Sequence, residues 1–334
     1  MKKPNKINCW DYMQCGREPG GDQVDRLGVC PAAGSPVFNG LNQGKNAGRA
    51  CWLVAGTFCN GEIQGSFTDK QESCENCEFY KKIHGGEGVT GLTLGAIRIA
   101  AHTQAGIVKA SNEDRYLVKP LTDGTILLAL ADGLGGDVSG DFAAETVCGK
   151  FAGIGCISGG KEEAELKELV CSIDLTIYDQ TEKDPSLAGM GSTLVCVLLR
   201  GSRAYWAHVG DSRLYILTGG RVIRVTRDQT LSRFLLEEGE ITAEQANSHY
   251  SRNVMDQFVG CGYAKPETGR LELLPEDILI LATDGLHKQI SRTGIQVILN
   301  TEKPLEEKAG SLVRAAIDAG GKDDITVVLA GRCP

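Results

Sequence analysis

Five acidic sites in this chain sit where a strand-like run meets a turn. Asp132 follows TILLALA and precedes Gly133, and Asp284 follows ILILAT and precedes Gly285. Asp323 stands in GGKDD just ahead of ITVVLA, Asp211 stands in VGDSRLY between two strand-like runs, and Glu113 and Asp114 lead into another in SNEDRYLV. A lone Asp-Gly is ordinarily a turn. Several acidic sites at converging strand ends are different, because the carboxylates would repel one another unless cations lay between them. Oxygen-only ligands suit Mg²⁺ or Mn²⁺ rather than Zn²⁺. A pair of such ions can generate a hydroxide and clamp a phosphoryl group for in-line attack, with no covalent nucleophile required. The chain contains no G-x-S-x-G, no C-x5-R and no P-loop.

The elements that must position these carboxylates follow from hydrophobic pattern. Strands are expected over 94–101, 115–119, 125–131, 192–199, 203–209, 213–217, 221–225, 277–283 and 325–330. Helices are expected over 139–152, 162–181, 231–238, 242–248 and 305–319. The turns Gly201-Ser202, Gly210-Asp211 and Gly219-Gly220 are so short that they join only antiparallel neighbours. Strand runs grouped between helix runs predict an α+β chain, with antiparallel sheets covered by helices.

Composition narrows the class of function. The net charge of -8 argues against nucleic acid or an anionic membrane as the main partner. Residues 1–84 carry ten Lys/Arg and nine Asp/Glu, so the excess acid lies beyond them. No segment approaches the ~18 consecutive apolar residues of a membrane span. The opening MKKPNKINCWDYMQC has no apolar signal core, which points to the cytoplasm.

In order along the chain, SNEDR, ADGLGG, GMGSTL, VGDSRLY, TRDQTL, SRNVMDQFVG, LATDGL and GGKDDITVV resemble the motifs of the metal-dependent protein phosphatases, the PPM or type 2C family, over residues 94–331. The resemblance implies a sandwich of two antiparallel β-sheets flanked by helices. It implies a serine/threonine phosphatase in which two-metal activated water attacks the phosphomonoester in line. Asp132 would bridge two metals, with the Gly133 carbonyl on one of them and Asp284 and Asp323 completing the other site. Asp211 with Asp284 would hold a third, and Glu113 and Asp114 would serve the metals' water shell. Two or three Mn²⁺ or Mg²⁺ ions are therefore expected. The implied substrates are phosphoserine and phosphothreonine proteins, with a protein kinase acting in opposition. Ser192 and Thr193 match a structural turn, and 229–253 matches a flap that influences substrate choice.

Four positions depart from the family pattern. Lys109 stands where Arg usually grips the substrate phosphate, and it lacks the bidentate fork. Leu134 stands where some members have a His that could protonate the leaving group. Gln229 stands where His is common, and Asp324 replaces a frequent Asn beside a ligand. None of these removes an expected metal ligand. The alternative is a catalytically weak PPM-fold interaction module, toward which Lys109 leans.

Seven of the thirteen cysteines lie before residue 80: Cys9, Cys15, Cys30, Cys51, Cys59, Cys74 and Cys77. The segment 1–83 reads as a small cysteine-rich module and 84–91, HGGEGVTG, as a linker to the domain 92–334. So small a module with few aliphatic residues needs a staple. Cys74-Glu75-Asn76-Cys77 is a chelating hook compatible with Zn²⁺ or an Fe–S cluster. A thiol–disulfide switch and simple buried cysteines are the other readings. Cys9-Trp10 recurs as Cys51-Trp52, and GKNAGRACWLVAGTFC resembles the two-CW modules that precede signalling domains. Its position suggests a redox or metal sensor. The later cysteines, Cys196 above all, read as small core hydrophobes.

Overall fold

The long apolar runs arise because both faces of each sheet are covered, so each strand needs apolar residues in both of its alternating sets. In the computed structural model the described residues are 7–34, 45–49, 51, 54, 57–59, 62–63, 77–80, 90–109, 112–135 and 139–333. Near the N-terminus lie three short helices, α1 (Cys9–Met13), α2 (Val24–Leu27) and α3 (Pro31–Gly34), and an antiparallel ladder of β1 (Phe58–Cys59) with β2 (Glu62–Ile63). Then follow β3 (Thr90–Leu94), β4 (Ile97–Gln104), β5 (Asp114–Pro120), β6 (Ile126–Leu134), α4 (Ser139–Ala152) and α5 (Glu162–Lys183). Next come β7 (Gly191–Ser192), β8 (Leu194–Arg200), β9 (Arg203–Val209), β10 (Arg213–Thr218), β11 (Arg221–Arg224), α6 (Leu231–Glu237) and α7 (Ala243–Ser248). The chain finishes with β12 (Glu267–Glu272), β13 (Ile278–Ala282), α8 (Asp284–His287), α9 (Arg292–Leu299), α10 (Leu305–Asp318) and β14 (Ile325–Arg332).

Two antiparallel sheets form the sandwich. One runs β11-β10-β13-β14-β4-β3, and the other β12-β9-β8-β6-β5 with β7 paired to β6. Ile126, Leu128 and Leu130 of β6 face inward, against Leu279 and Leu281 of β13 and Val328 of β14. The alternate residues Leu127, Ala129 and Ala131 turn outward under α4 and α5, against Val147, Phe151, Val170 and Ile173. On the opposite side Ile280 and Val327 pack under α9 and α10, against Ile295, Leu312 and Val313. Each such fully buried aliphatic side chain contributes about 2 kcal/mol, and both sheets share that gain on two faces.

Two boundaries move relative to the sequence reading. The strand expected over 94–101 is two strands folded at Gly95, whose φ of 58° suits a residue without a Cβ. Thr90 and Gly91, placed in the linker by composition, pair with Ala101 and Ala100, so the sheet takes them in. Among the described residues no helix is long and apolar enough to cross a membrane.

Candidate active site

The register of one strand pair begins the site. β5 and β6 set Asp114 directly across from Asp132. The backbone of Asp132 is clamped from the next strand. Its carbonyl accepts from Thr193 N at 2.9 Å and from Ser192 Oγ at 3.0 Å, and its N–H donates to Thr193 Oγ1 at 3.2 Å. Ser192 and Thr193 thus fix the strand that carries Asp132. Gly133 is not a turn residue. A Cβ there would strike the Gly140 carbonyl at the head of α4, so glycine is required for close approach of two backbones. Gly285 behaves likewise, because its Cβ would strike the carbonyl of Asp324.

The facing sheet supplies the rest. Asp284 is the first residue of α8 and is buried. Its neighbour Thr283 donates through Oγ1 to Asp114 Oδ2 at 2.9 Å and accepts from Thr326 N at 2.9 Å. This hydroxyl therefore joins the two sheets. Thr103 and Thr326 share a 2.7 Å hydroxyl bond, and Asn112 donates to Thr103 at 2.8 Å while accepting from Asp114 N at 2.9 Å. Asp324 accepts from Gly106 N at 2.9 Å through one oxygen and from Glu113 N at 2.8 Å through the other. An Asn there has one acceptor oxygen and would lose one of these loops. Asp323, half-exposed beside it, meets Lys109 Nζ at 3.2 Å, and Lys109 also donates to Glu113 Oε2 at 2.8 Å.

Packing so many acids together has an electrostatic cost. Burial, then the charges of Asp114, Asp284, Asp211 and Asp323, push the Asp132 carboxyl well above the usual range. Burial and Asp324 do the same to Asp114. Burial and Asp284 raise Asp211 to about 7. Burial works against the charge of Lys109, but its bonds to Glu113 and Asp323 prevail and raise its pKa. Glu113 Oε1, Asp114 Oδ1, Asp211 Oδ1 and Asp284 Oδ1 are buried oxygens without a hydrogen-bond partner. Buried polar atoms ordinarily find partners, so four unmatched anionic oxygens around Asp132 fit divalent cations as their missing counterpart. Among the described residues no three His, Cys, Asp or Glu side chains stand close enough together to hold a metal ion as they are placed.

Asp211 lies at the turn between β9 and β10. Gln229 pins that turn, accepting from Gly210 N at 2.9 Å and donating to Lys265 O at 3.2 Å. The amide does both tasks at once, through its oxygen and its NH₂ group. Beside the turn, Arg213, Arg224, Arg227, Arg233, Arg252 and Lys288 line a cleft of about 730 Å³ under the segment bearing α6 and α7. Asp228 fixes two of these cations, Arg213 at 2.6 Å and Arg224 at 2.6 Å. Leu134, the position of a possible leaving-group acid, ends β6 paired with Gly191.

In the N-terminal region Cys30, Cys51 and Cys77 are buried in one cluster with Trp10 and Phe79, and Cys9 and Cys15 pack against it. Burial raises the Cys15 pKa, and Cys30 adds to the effect. Cys59 lies on β1 opposite Glu62. Cys74 and Trp52 lie outside the described residues.

The comparisons with known proteins agree with this fold. The family model described as protein phosphatase 2C matches residues 100–318. The serine/threonine protein phosphatase PstP of Mycobacterium tuberculosis is 35% identical over 235 residues, covering 70% of this chain and 45% of PstP, so the chain spans less than half the length of that relative. Protein phosphatase PhpP of Streptococcus pneumoniae is 32% identical over 238 residues, covering 70% of this chain and 96% of PhpP. The crystal structure of the PstP catalytic domain in complex with two manganese ions superposes with a TM-score of 0.63 at 33% identity, covering 71% of this chain and 99% of that one. Motif order, sheet topology and the facing carboxylates meet in one assignment, and the chain belongs to the protein phosphatase 2C family.

Proposed function

We propose that the chain is a Mn²⁺- or Mg²⁺-dependent phosphatase acting on phosphoserine and phosphothreonine in proteins, in opposition to a protein kinase and in the cytoplasm. The observation that supports it best is the set of unpartnered buried oxygens on Glu113, Asp114, Asp211 and Asp284, gathered around Asp132 at the seam of the sheets. In this reading Asp132, the Gly133 carbonyl, Asp114, Asp284 and Asp323 would hold two divalent cations, with Asp211 beside Asp284 at the edge of the site. When bound, the cations supply Lewis-acid charge that favours attack of water on phosphorus and neutralises the phosphoryl oxygens. Lys109, tethered to both Glu113 and Asp323, orients the substrate phosphate as a point charge rather than a fork. Asp324 holds the loops that carry Lys109 and Glu113. The full set of carboxylates speaks against a purely binding role.

Hydrolysis of a phosphothreonine peptide by the full chain tests this directly. Turnover in Mn²⁺ and its loss in EDTA are expected. No turnover in Mn²⁺ would refute the proposal.

Within the same proposal, residues 1–83 form a cysteine-rich sensor module, with a Zn²⁺ or Fe–S site or a thiol–disulfide switch. The common packing of Cys9, Cys15, Cys30, Cys51 and Cys77 supports it. Cys30→Ser with Cys77→Ser is expected to change the phosphatase rate between reducing and oxidising buffer. A rate that ignores both the substitutions and the buffer would remove the sensor.

A further inference from the structure

The helix that delivers Asp284 also delivers a lysine. α8 spans Asp284–His287, and Lys288 follows as its C-cap, donating its N–H to the Asp284 carbonyl at 2.8 Å. One helical turn separates the two side chains, so they share a face. Lys288 Nζ bonds Asp284 Oδ2 and stands 4.0 Å from Asp211 Oδ2. The other residue of the turn, His287, sets Nε2 3.0 Å from the Asp211 carbonyl oxygen. Helix α8 therefore grips the β9–β10 turn twice, at the backbone of Asp211 and at its carboxylate.

The two oxygens of Asp284 are in different situations. Oδ1 is buried and has no partner, while Oδ2 is taken by the ammonium. Oδ1 is thus the oxygen left for a cation shared with Asp132 and Asp323, and the ammonium on Oδ2 lies 4.0 Å from Asp211 Oδ2. Those two carboxylate side chains are 8% and 4% exposed, so a charge between them is poorly screened by solvent. A divalent cation between Asp211 and Asp284 would stand against an ammonium at contact distance. Either the lysine leaves or the cation stays out.

We propose that Lys288 is a built-in cation that takes the place of a third metal between Asp211 and Asp284, leaving this chain a two-metal protein. The inference rests on the phosphatase reading of the site and adds to it the number of ions bound. An ammonium tethered four residues from Asp284 has no concentration dependence, so that side of the site is neutralised at any level of free metal. Its three donors suit two carboxylates, and Lys288 is among the residues that line the cleft beside α6 and α7.

The test counts metal. Mn²⁺ bound per full-length chain is measured by equilibrium dialysis at millimolar free Mn²⁺, for the natural chain, Lys288→Met, Lys288→Gln, Asp211→Asn and the double variant Lys288→Met/Asp211→Asn. Two ions are expected for the natural chain and for Asp211→Asn alone. Three are expected for Lys288→Met and Lys288→Gln, returning to two in the double variant. Three ions in the natural chain, falling to two in Asp211→Asn, would overturn the proposal by showing a metal where the ammonium was placed. Two ions in both Lys288 variants would overturn it by showing that the lysine excludes nothing. A natural chain that binds no Mn²⁺ would remove the phosphatase reading along with it, whereas the preceding outcomes leave that reading standing.

Discussion

Asp132→Asn is expected to lower kcat/KM on a phosphothreonine peptide by about 10³-fold or more, a loss of the size seen when a charge-stabilising group is removed from a reacting centre. Asp132 faces the charges of Asp114, Asp284, Asp211 and Asp323, so its replacement touches every ion the site would hold. The same substitution is expected to stabilise the metal-free fold. Burial and repulsion raise the carboxyl's pKa in the folded chain, so at neutral pH the native state resists the ionised form that the unfolded chain accepts freely. A neutral amide escapes that penalty. Thermal unfolding in EDTA should therefore show the variant melting above the natural chain, and in Mn²⁺ the order should reverse. A variant that melts lower in both conditions would mean that Asp132 serves packing and not cations.

The second large effect lies behind the site. Asp174 sits mid-way along α5 and is 2% exposed. Its Oδ1 accepts from Gly260 N at 2.7 Å and Gly262 N at 3.1 Å, and its Oδ2 from Ala264 N at 3.0 Å. Between them they order a loop whose residue Val259 exchanges backbone bonds of 2.9 and 2.8 Å with Ser192. Ser192 in turn holds the Asp132 carbonyl. Asp174→Ala leaves three N–H groups without an acceptor, at about 1–3 kcal/mol each where buried. A loss of about 3–5 kcal/mol in urea unfolding is expected, with phosphatase activity falling along with it. Asp174→Asn should fall between the two, because its amide nitrogen meets the Ala264 N–H donor to donor. A loss under 1 kcal/mol for the alanine variant would show that the loop finds other acceptors.

Much of this was legible in residue patterns, for reasons that also explain what was not. Strands such as β6, β8 and β13 are apolar on both faces, so their runs stand out without structure. The strand β12, ETGRLE, was missed because it is an edge strand, mostly half-exposed, and pairs with β9 through backbone groups. Helix α9 was missed because Gly294 interrupts RTGIQVIL, although Ser291 caps it by accepting from Gly294 N at 3.2 Å. That Ser before an apolar run was the available signal. The acidic residues stood out as candidates because Asp at a strand end is chemically conspicuous, and the fold brings Asp114, Asp211, Asp284 and Asp323 within reach of Asp132's charge. Their supports were not. Asp174 looks like one more charge on an acidic helix, and Thr283, Thr326 and Thr103 look like ordinary strand threonines. Only tertiary pairing reveals them as the polar belt that orients Asp114. The glycines after Asp132 and Asp284 suggested turns, whereas the fold uses them for backbone contact.

Asp114 and Asp132 belong to one sheet, Asp284 and Asp323 flank strands β13 and β14 of the other, and the Thr283 hydroxyl bonds across the join. Ions bound there would act as rivets between two halves of the sandwich. The unfolded chain cannot assemble such a site, so each tenfold rise in free cation above its dissociation constant adds about 1.4 kcal/mol of stability per ion. With such ions bound, folding would be coupled to the ionic composition of the surroundings, and survival against proteolysis would act as a gauge of available metal even when no substrate is present.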